Sequence, residues 1–271
     1  MKRVVWAYAD WTEKGEHDLA KSTWQLYLLI AGVLSWMKFA PTYWRVIYVD
    51  KSIYGFLKEK NLLELYNEVQ VVDFKKEIVG RFNVDFFAFP KMWAYTKQES
   101  PFFICDTDVI LQRPLDEWFD DTKYWGWLYN HTNNLPLGTS EREREFTRKE
   151  WIDFQKTCTR TPGLRNLCDF TNCVNGGLIY FPDPKKAQIL GYTMMSLAQE
   201  IVPTHGDWVL YEEALIPTIL KSIGVEMTPQ PMEARIEECG MGKLEEYSEV
   251  ENMVKNILGF DLKEWYPELK F

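Results

Sequence analysis

The sequence lacks several things that would each have named a function class. Its five cysteines, at positions 105, 158, 168, 173 and 239, are odd in number and contain no C-x-x-C pair. That pattern excludes a full disulfide framework and points to mostly free thiols in a reducing compartment. Cys158, Cys168 and Cys173 cluster, but no histidine follows within the cluster, so zinc-finger spacing is missing. The longest apolar-rich run, residues 26–34, is about half of the ~20 residues a membrane-spanning helix needs. Only six apolar-leaning residues separate Met1-Lys2-Arg3 from Asp10, too few for a signal-peptide core. A soluble, cytoplasmic protein without a membrane span is the expectation. Basic residues are also short: 31 Lys and Arg against 40 Asp and Glu give a formal net charge of -9. A nucleic-acid backbone binder needs the opposite balance.

What the chain does have is bulk and aromatic content. Its 271 residues are 46% hydrophobic, enough for a substantial core, and include 12 tryptophans. Residues 4–9 read as a buried strand ending at Asp10, and 44–49 as a second strand closed by Asp50. Helical patterns over 17–38 and 53–65 follow these strands, and 68–74 reads as a third strand. Strands alternating with helices at this spacing imply parallel βαβ units, with ligands gathering at the strands' carboxyl ends.

The most informative stretch runs from Phe102 through Ile104 and Cys105 to Asp106-Thr107-Asp108 and on to Leu111. Read as one extended strand, it puts the two carboxylates, at i and i+2, on one face. Two carboxylates so close repel each other unless a cation or a shared proton offsets the charge. A helix over 82–97, irregular at Pro90, precedes them and carries Lys91. Arg113-Pro114-Leu115 turns the chain away afterwards. Residues 124–129 read as a strand, and Ser140-Glu141-Arg142-Glu143 as a capping box opening a charged, solvated helix.

A second informative stretch is Cys173-Val174-Asn175-Gly176-Gly177, leading into an apolar strand. Adjacent glycines there require either unusual backbone dihedrals or close approach by another group. Helices over 185–200 and 209–220 follow, separated by a loop with His205 and Asp207, and the second carries Glu212 and Glu213.

In order and spacing, the Asp106-Thr107-Asp108 strand, the Arg113-Pro114-Leu115 exit and Asn175-Gly176-Gly177 resemble the A-type-fold glycosyltransferases that use nucleotide sugars. The glycogenin-like and bacterial lipooligosaccharide galactosyltransferase group is the nearest in pattern. The resemblance runs from residue 4 to about 220. It implies an α/β fold: a Rossmann-like nucleotide-diphospho-sugar transferase domain over 1–225 with a mostly parallel central sheet. Within it, 1–111 would form the nucleotide-binding half and 112–225 the acceptor half, with 226–271 a tail packed on the domain. A basic residue about fifteen positions before the D-x-D is usual in the family, and Lys91 fits. An acidic residue after the Asn-Gly-Gly strand is also expected, and Glu212 or Glu213 fits.

By the same resemblance, Asp106 and Asp108 hold Mn²⁺ or Mg²⁺. Tyr8, Asp10, Asp50, Lys91, Asp106, Thr107, Asn175, Gly176 and Gly177 contact the donor, a UDP-sugar in first place. The acceptor is a carbohydrate or other hydroxyl compound, with Trp125, Trp127, Tyr129 and His131 as candidates on its side, although core packing explains the three aromatics nearly as well. Retention of anomeric configuration is the group's pattern, with Asn175 or Glu212 near the reacting face. Inversion would need a carboxylate base at the acceptor, for which Asp207, Glu212 and Glu213 are candidates. One departure stands out: the glycogenin-like pattern takes a third metal ligand from a histidine near the C-terminus, and no histidine follows His205 here.

Two other readings compete. Haloacid-dehalogenase-type phosphohydrolases also place D-x-D after a hydrophobic strand, with the first aspartate, here Asp106, as nucleophile. In that family, however, the motif ends the first core strand, and about a hundred residues of βαβ pattern precede it here. The alternative without catalysis is a sugar- or nucleotide-binding module of the same fold.

Overall fold

The computed structural model describes residues 2–9, 23–79, 89–129, 173–200, 208–229, 235–237 and 244–269. Its strands are β1 (Arg3–Tyr8), β2 (Trp44–Val49), β3 (Glu68–Val71), β4 (Phe102–Cys105), β5 (Val109–Leu111), β6 (Tyr124–Tyr129), β7 (Cys173–Phe181), β8 (Met227–Pro229) and β9 (Arg235–Glu237). The helices are α1 (Thr23–Phe39), α2 (Lys51–Glu59), α3 (Phe89–Tyr95), α4 (Pro184–Glu200), α5 (Trp208–Ser222), α6 (Leu244–Leu258) and the short α7 (Leu262–Trp265).

Seven strands form one sheet in the order β3-β2-β1-β4-β7-β6-β8. β1 pairs in parallel with β2 and β4, β2 with β3, and β6 with β8. β7 alone runs antiparallel to its neighbours, β4 and β6. The mostly parallel α/β architecture is therefore as the sequence pattern implies.

Residue alternation splits the apolar strands between two cores. Val5, Val46, Tyr48, Phe102 and Ile104 pack with α3, α4 and α5 on one face. Val4, Trp6, Ile47, Val49, Phe103 and Cys105 pack with α1, α2 and α6 on the other. Strands covered on both faces carry apolar residues at nearly every position, which is why they read as near-continuous runs.

The structure corrects the expectation of one extended strand through residue 111. β4 stops at Cys105, Asp106-Thr107-Asp108 forms a turn, and β5 leaves the main sheet to pair with β9. The alternation argument for two carboxylates on one strand face therefore fails, because a turn separates them from any regular strand. The segment after 225 also does more than lie on the domain. β8 extends the main sheet beside β6, and β9 is the only strand paired with β5 among the described residues.

Smaller differences are shifts of boundary. The expected third strand stops at Val71 rather than 74, and the second helix at Glu59, followed by a 3-10 turn at Leu63–Leu65. The expected capping box at Ser140 and the cysteines at 158, 168 and 239 lie outside the described residues, while Cys105 is buried, its thiol donating to Asp106 O at 3.4 Å.

Candidate active site

The site is assembled where β4 ends and β7 begins. Because β7 is antiparallel, Cys105 pairs with Leu178. One residue further, the Asp106 N–H donates to Gly177 O at 2.7 Å. The two motifs singled out in the sequence are thus joined through their backbones. Gly176 serves close approach rather than an unusual dihedral. Gly176 lies within β7 without a left-handed φ, and a Cβ there would stand 2.6 Å from Glu212 Oε1 and 3.2 Å from Lys91 Nζ. No L-residue with a side chain fits that position without displacing both groups.

Lys91 supplies the centre of the cluster. It sits in the first turn of α3, next to Pro90, where a proline's missing N–H costs nothing. Its ammonium lies 2.6 Å from Asp106 Oδ1 and 2.9 Å from Glu212 Oε1, and donates to Gly176 O at 3.2 Å. Lys91 is 8% exposed and Glu212 5%, whereas the Asp106 side chain is 36% exposed. The lysine therefore bridges a buried carboxylate and a solvent-facing one.

Burial alone would lower the Lys91 pKa, but Asp106 and then Glu212 outweigh it and hold the pKa well above the usual lysine range. Glu212 goes the other way for its own reason. Burial first, with the like charge of Asp106, pushes its carboxyl up to about 7, and the Lys91 ammonium offsets only part of this. The Tyr95 hydroxyl, one helical turn beyond Lys91, is raised by burial and then by the Glu212 charge. Sequence reasoning passed over Tyr95 as part of this environment; its i+4 spacing from Lys91 was the available signal.

Not every expected residue joins the cluster. Thr107 and Asp108 lie in the adjoining turn, partly buried. Glu213 is buried beside Glu212 and adds negative charge to its surroundings. Tyr8 stands at the carboxyl end of β1. Asp50 accepts from Ile53 N–H at 2.8 Å and caps α2, which is the turn-forming role such a residue also has. Asn175 takes its place in β7 opposite Trp127. Trp125 is buried and donates its indole N–H to Asp120 O at 2.7 Å, and so belongs to the core. Asp10, Asp207, His131 and His205 fall outside the described residues.

An open groove of about 680 Å³ runs beside β3, lined by Arg3, Glu68, Gln70, Trp93 and Lys97 among others. Within it Arg3 pairs with Glu68 at 3.1 Å, and Lys97 lies over the Trp93 ring at 4.7 Å. The motifs do not reach it.

As a donor set for a cation, the turn offers two carboxylates, which are hard oxygen ligands suited to Mg²⁺ or Mn²⁺. Among the described residues no three His, Cys, Asp or Glu side chains group as a metal site. Magnesium-type sites commonly combine one or two carboxylates with substrate phosphates, so the set fits a cation that arrives with a diphosphate. The local charge agrees. Two carboxylates, Asp106 and Glu212, meet the one Lys91 ammonium among the described residues of the cluster, and Asp108 follows in the same turn.

No family model matches the sequence, and no characterised protein matches it by sequence. Solved structures do match by shape. The bifunctional glycosyltransferase WbbM superposes with a TM-score of 0.54 at 13% identity, over 99% of this chain and 51% of that one. This chain thus spans about half of WbbM's length. The galactosyltransferase LgtC in complex with donor and acceptor sugar analogs matches at 12% identity and a TM-score of 0.47, over 95% and 96% of the two chains. Mouse xyloside xylosyltransferase 1 matches at 12% identity and a TM-score of 0.43, over 85% of each. The fold is that of the A-type glycosyltransferases.

Proposed function

We propose that the protein is a metal-dependent glycosyltransferase that moves a hexose from a nucleoside-diphosphate sugar, a UDP-sugar in first place, to a hydroxyl of a carbohydrate or similar acceptor, with retention. The observation that carries this reading is the convergence of Asp106 and Glu212 on the Lys91 ammonium beside Gly176, at the carboxyl end of the central parallel strand. Ligands of open α/β sheets gather at such ends.

The residues divide the work by charge. Asp106 and Asp108 would hold Mn²⁺ or Mg²⁺, whose Lewis acidity offsets the negative charge that builds on the departing diphosphate. Lys91 balances Asp106 and Glu212 and presents its ammonium beside the same carboxylates, where a sugar or phosphate oxygen can take up a donor. Glu212 Oε1 is buried without an aligned hydrogen-bond donor among the described residues, although the ammonium is near. A donor-sugar hydroxyl reaching that oxygen would supply one, orienting the ring. In its charged form Glu212 also favours positive charge developing at the anomeric carbon. Gly176, lacking a side chain, lets Glu212 and Lys91 close onto the strand.

The test is a thermal-shift screen of nucleotide sugars with Mn²⁺, followed by assay of the best ligand for release of the nucleoside diphosphate. Stabilisation by one nucleotide sugar, with transfer or slow donor hydrolysis, supports the reading. Binding without turnover under every acceptor tried would leave a binding module instead. An acyl-phosphate mimic trapped on Asp106 by aluminium or beryllium fluoride would replace it with a phosphohydrolase.

A further inference from the structure

The turn that carries the aspartates is held from behind by α1, on the opposite face of the sheet from Lys91. A Cβ on Gly32 would lie 2.9 Å from Val109 O and 3.7 Å from Thr107 O. Both are backbone atoms, so the helix touches the turn at a distance only glycine allows. One turn along α1, the fully buried Ser35 hydroxyl donates to Gly32 O at 2.6 Å and accepts from Leu111 N–H at 2.9 Å. That second bond matters because β5 is only three residues long and pairs with β9 alone among the described residues.

We infer that Gly32 and Ser35 are positioning residues for the Asp106-Thr107-Asp108 turn. They set how deeply it sits against the sheet and hence where its carboxylates stand relative to Lys91. The inference rests on the glycosyltransferase reading only in taking that turn as the cation-binding element. Its physical basis is contact geometry. Adding a methyl at Gly32 must push Val109 away, and the turn between β4 and β5 absorbs the shift. β4 cannot move with it, being locked between β1 and β7. Misplacement by as little as 1 Å at such a site costs up to about a hundredfold in function, so a shift of a few tenths of an ångström is expected to cost about tenfold.

The test compares Gly32→Ala, the gentler Ser35→Ala, and Leu57→Ala, which hollows the same core from α2 rather than α1. Two readouts are taken on each folded protein: affinity for UDP in the presence of Mn²⁺, and hydrogen exchange of the 106–111 segment. Gly32→Ala is expected to speed exchange in that segment selectively and to weaken Mn²⁺-dependent UDP binding about tenfold, with Ser35→Ala in the same direction but smaller. Leu57→Ala should lower the melting temperature while leaving both readouts near wild type. Unchanged exchange at 106–111 in both α1 variants, or an equal change in Leu57→Ala, overturns the inference. If wild type binds neither UDP nor Mn²⁺, the glycosyltransferase reading fails, and the exchange data still decide whether α1 positions the turn. Should Gly32→Ala not fold, Ser35→Ala decides by the same readouts.

Discussion

Two regions on the same pair of strands, β4 and β7, are held together in opposite ways. At mid-strand, Phe103 pairs across the sheet with Tyr180, their rings 4.7 Å apart. Around them Trp36 meets Phe103 at 5.2 Å, Phe119 meets Tyr180 edge-on at 4.6 Å, and Trp6 meets Trp36 at 6.3 Å. A few residues on, the same strands deliver Asp106 and Gly176 to Lys91 and Glu212. The aromatic block is a sum of many weak, non-directional contacts, each of which its neighbours can partly replace. The ionic cluster is a small set of strong terms that balance only when every member is present. The first stabilises the fold; the second makes a place where added charge is felt.

The sharpest way to break that comparison is to remove one member from each side. Lys91→Met leaves Glu212 buried and Asp106 unbalanced. We expect a loss of roughly 3–5 kcal/mol, together with loss of donor binding. Phe103→Ala should cost a comparable ~3–5 kcal/mol, yet the protein that remains folded should bind donor as wild type does. Chemical denaturation and calorimetry on both variants check this. Equal loss of binding in Phe103→Ala would mean that the two regions are not separable.

Next in size is Gly176→Ala. Its Cβ would collide with Glu212 Oε1 and crowd Lys91 Nζ, parting the ion pair without removing a charge. Affinity for the donor should fall about tenfold, roughly 1.4 kcal/mol. The aromatic block should be untouched, as near-ultraviolet circular dichroism can show.

The pH dependence of stability separates the two regions in another way. Glu212 titrates near 7 in the folded protein against 4.5 as its ordinary value, so the native state holds its proton more tightly than the unfolded chain. That contribution is fully present below pH 4.5 and is lost as pH rises through 7. Its ceiling is roughly 3 kcal/mol at about 1.4 kcal/mol per unit. Wild type should therefore lose stability relative to Glu212→Gln between pH 5 and 8, read from urea midpoints; a constant difference across that range would contradict the assignment. The aromatic block offers no counterpart, since its tyrosines ionise far above this window.

Much of the site's order along the chain was legible in the sequence because it follows strand ends. Val4-Val5-Trp6, the run before Asp50 and the Phe102 run had to be buried parallel strands, and parallel strands put their carboxyl ends together. The turn at Asp106 was not legible. Val109-Ile110-Leu111 is as apolar as the strand before it, and only its pairing with β9, far along the chain, takes it out of the main sheet. The sequence also left Glu212 and Glu213 equivalent; helix rotation against Gly176 places Glu212 on the ammonium. Gly32 gave no sign at all. Inside a helix it reads as a mere weak point, and its meaning appears only when Val109 O is found against it.

The most direct test of the site is calorimetric titration of UDP into the protein with and without Mn²⁺, in wild type and in Asp108→Ala. Binding at least about tenfold tighter with Mn²⁺ in wild type is expected, about 1.4 kcal/mol or more. The metal-dependent part should vanish in Asp108→Ala, with the fold intact by circular dichroism. Nucleotide affinity that ignores Mn²⁺, or that Asp108→Ala leaves unchanged, would contradict the role given to the aspartate turn.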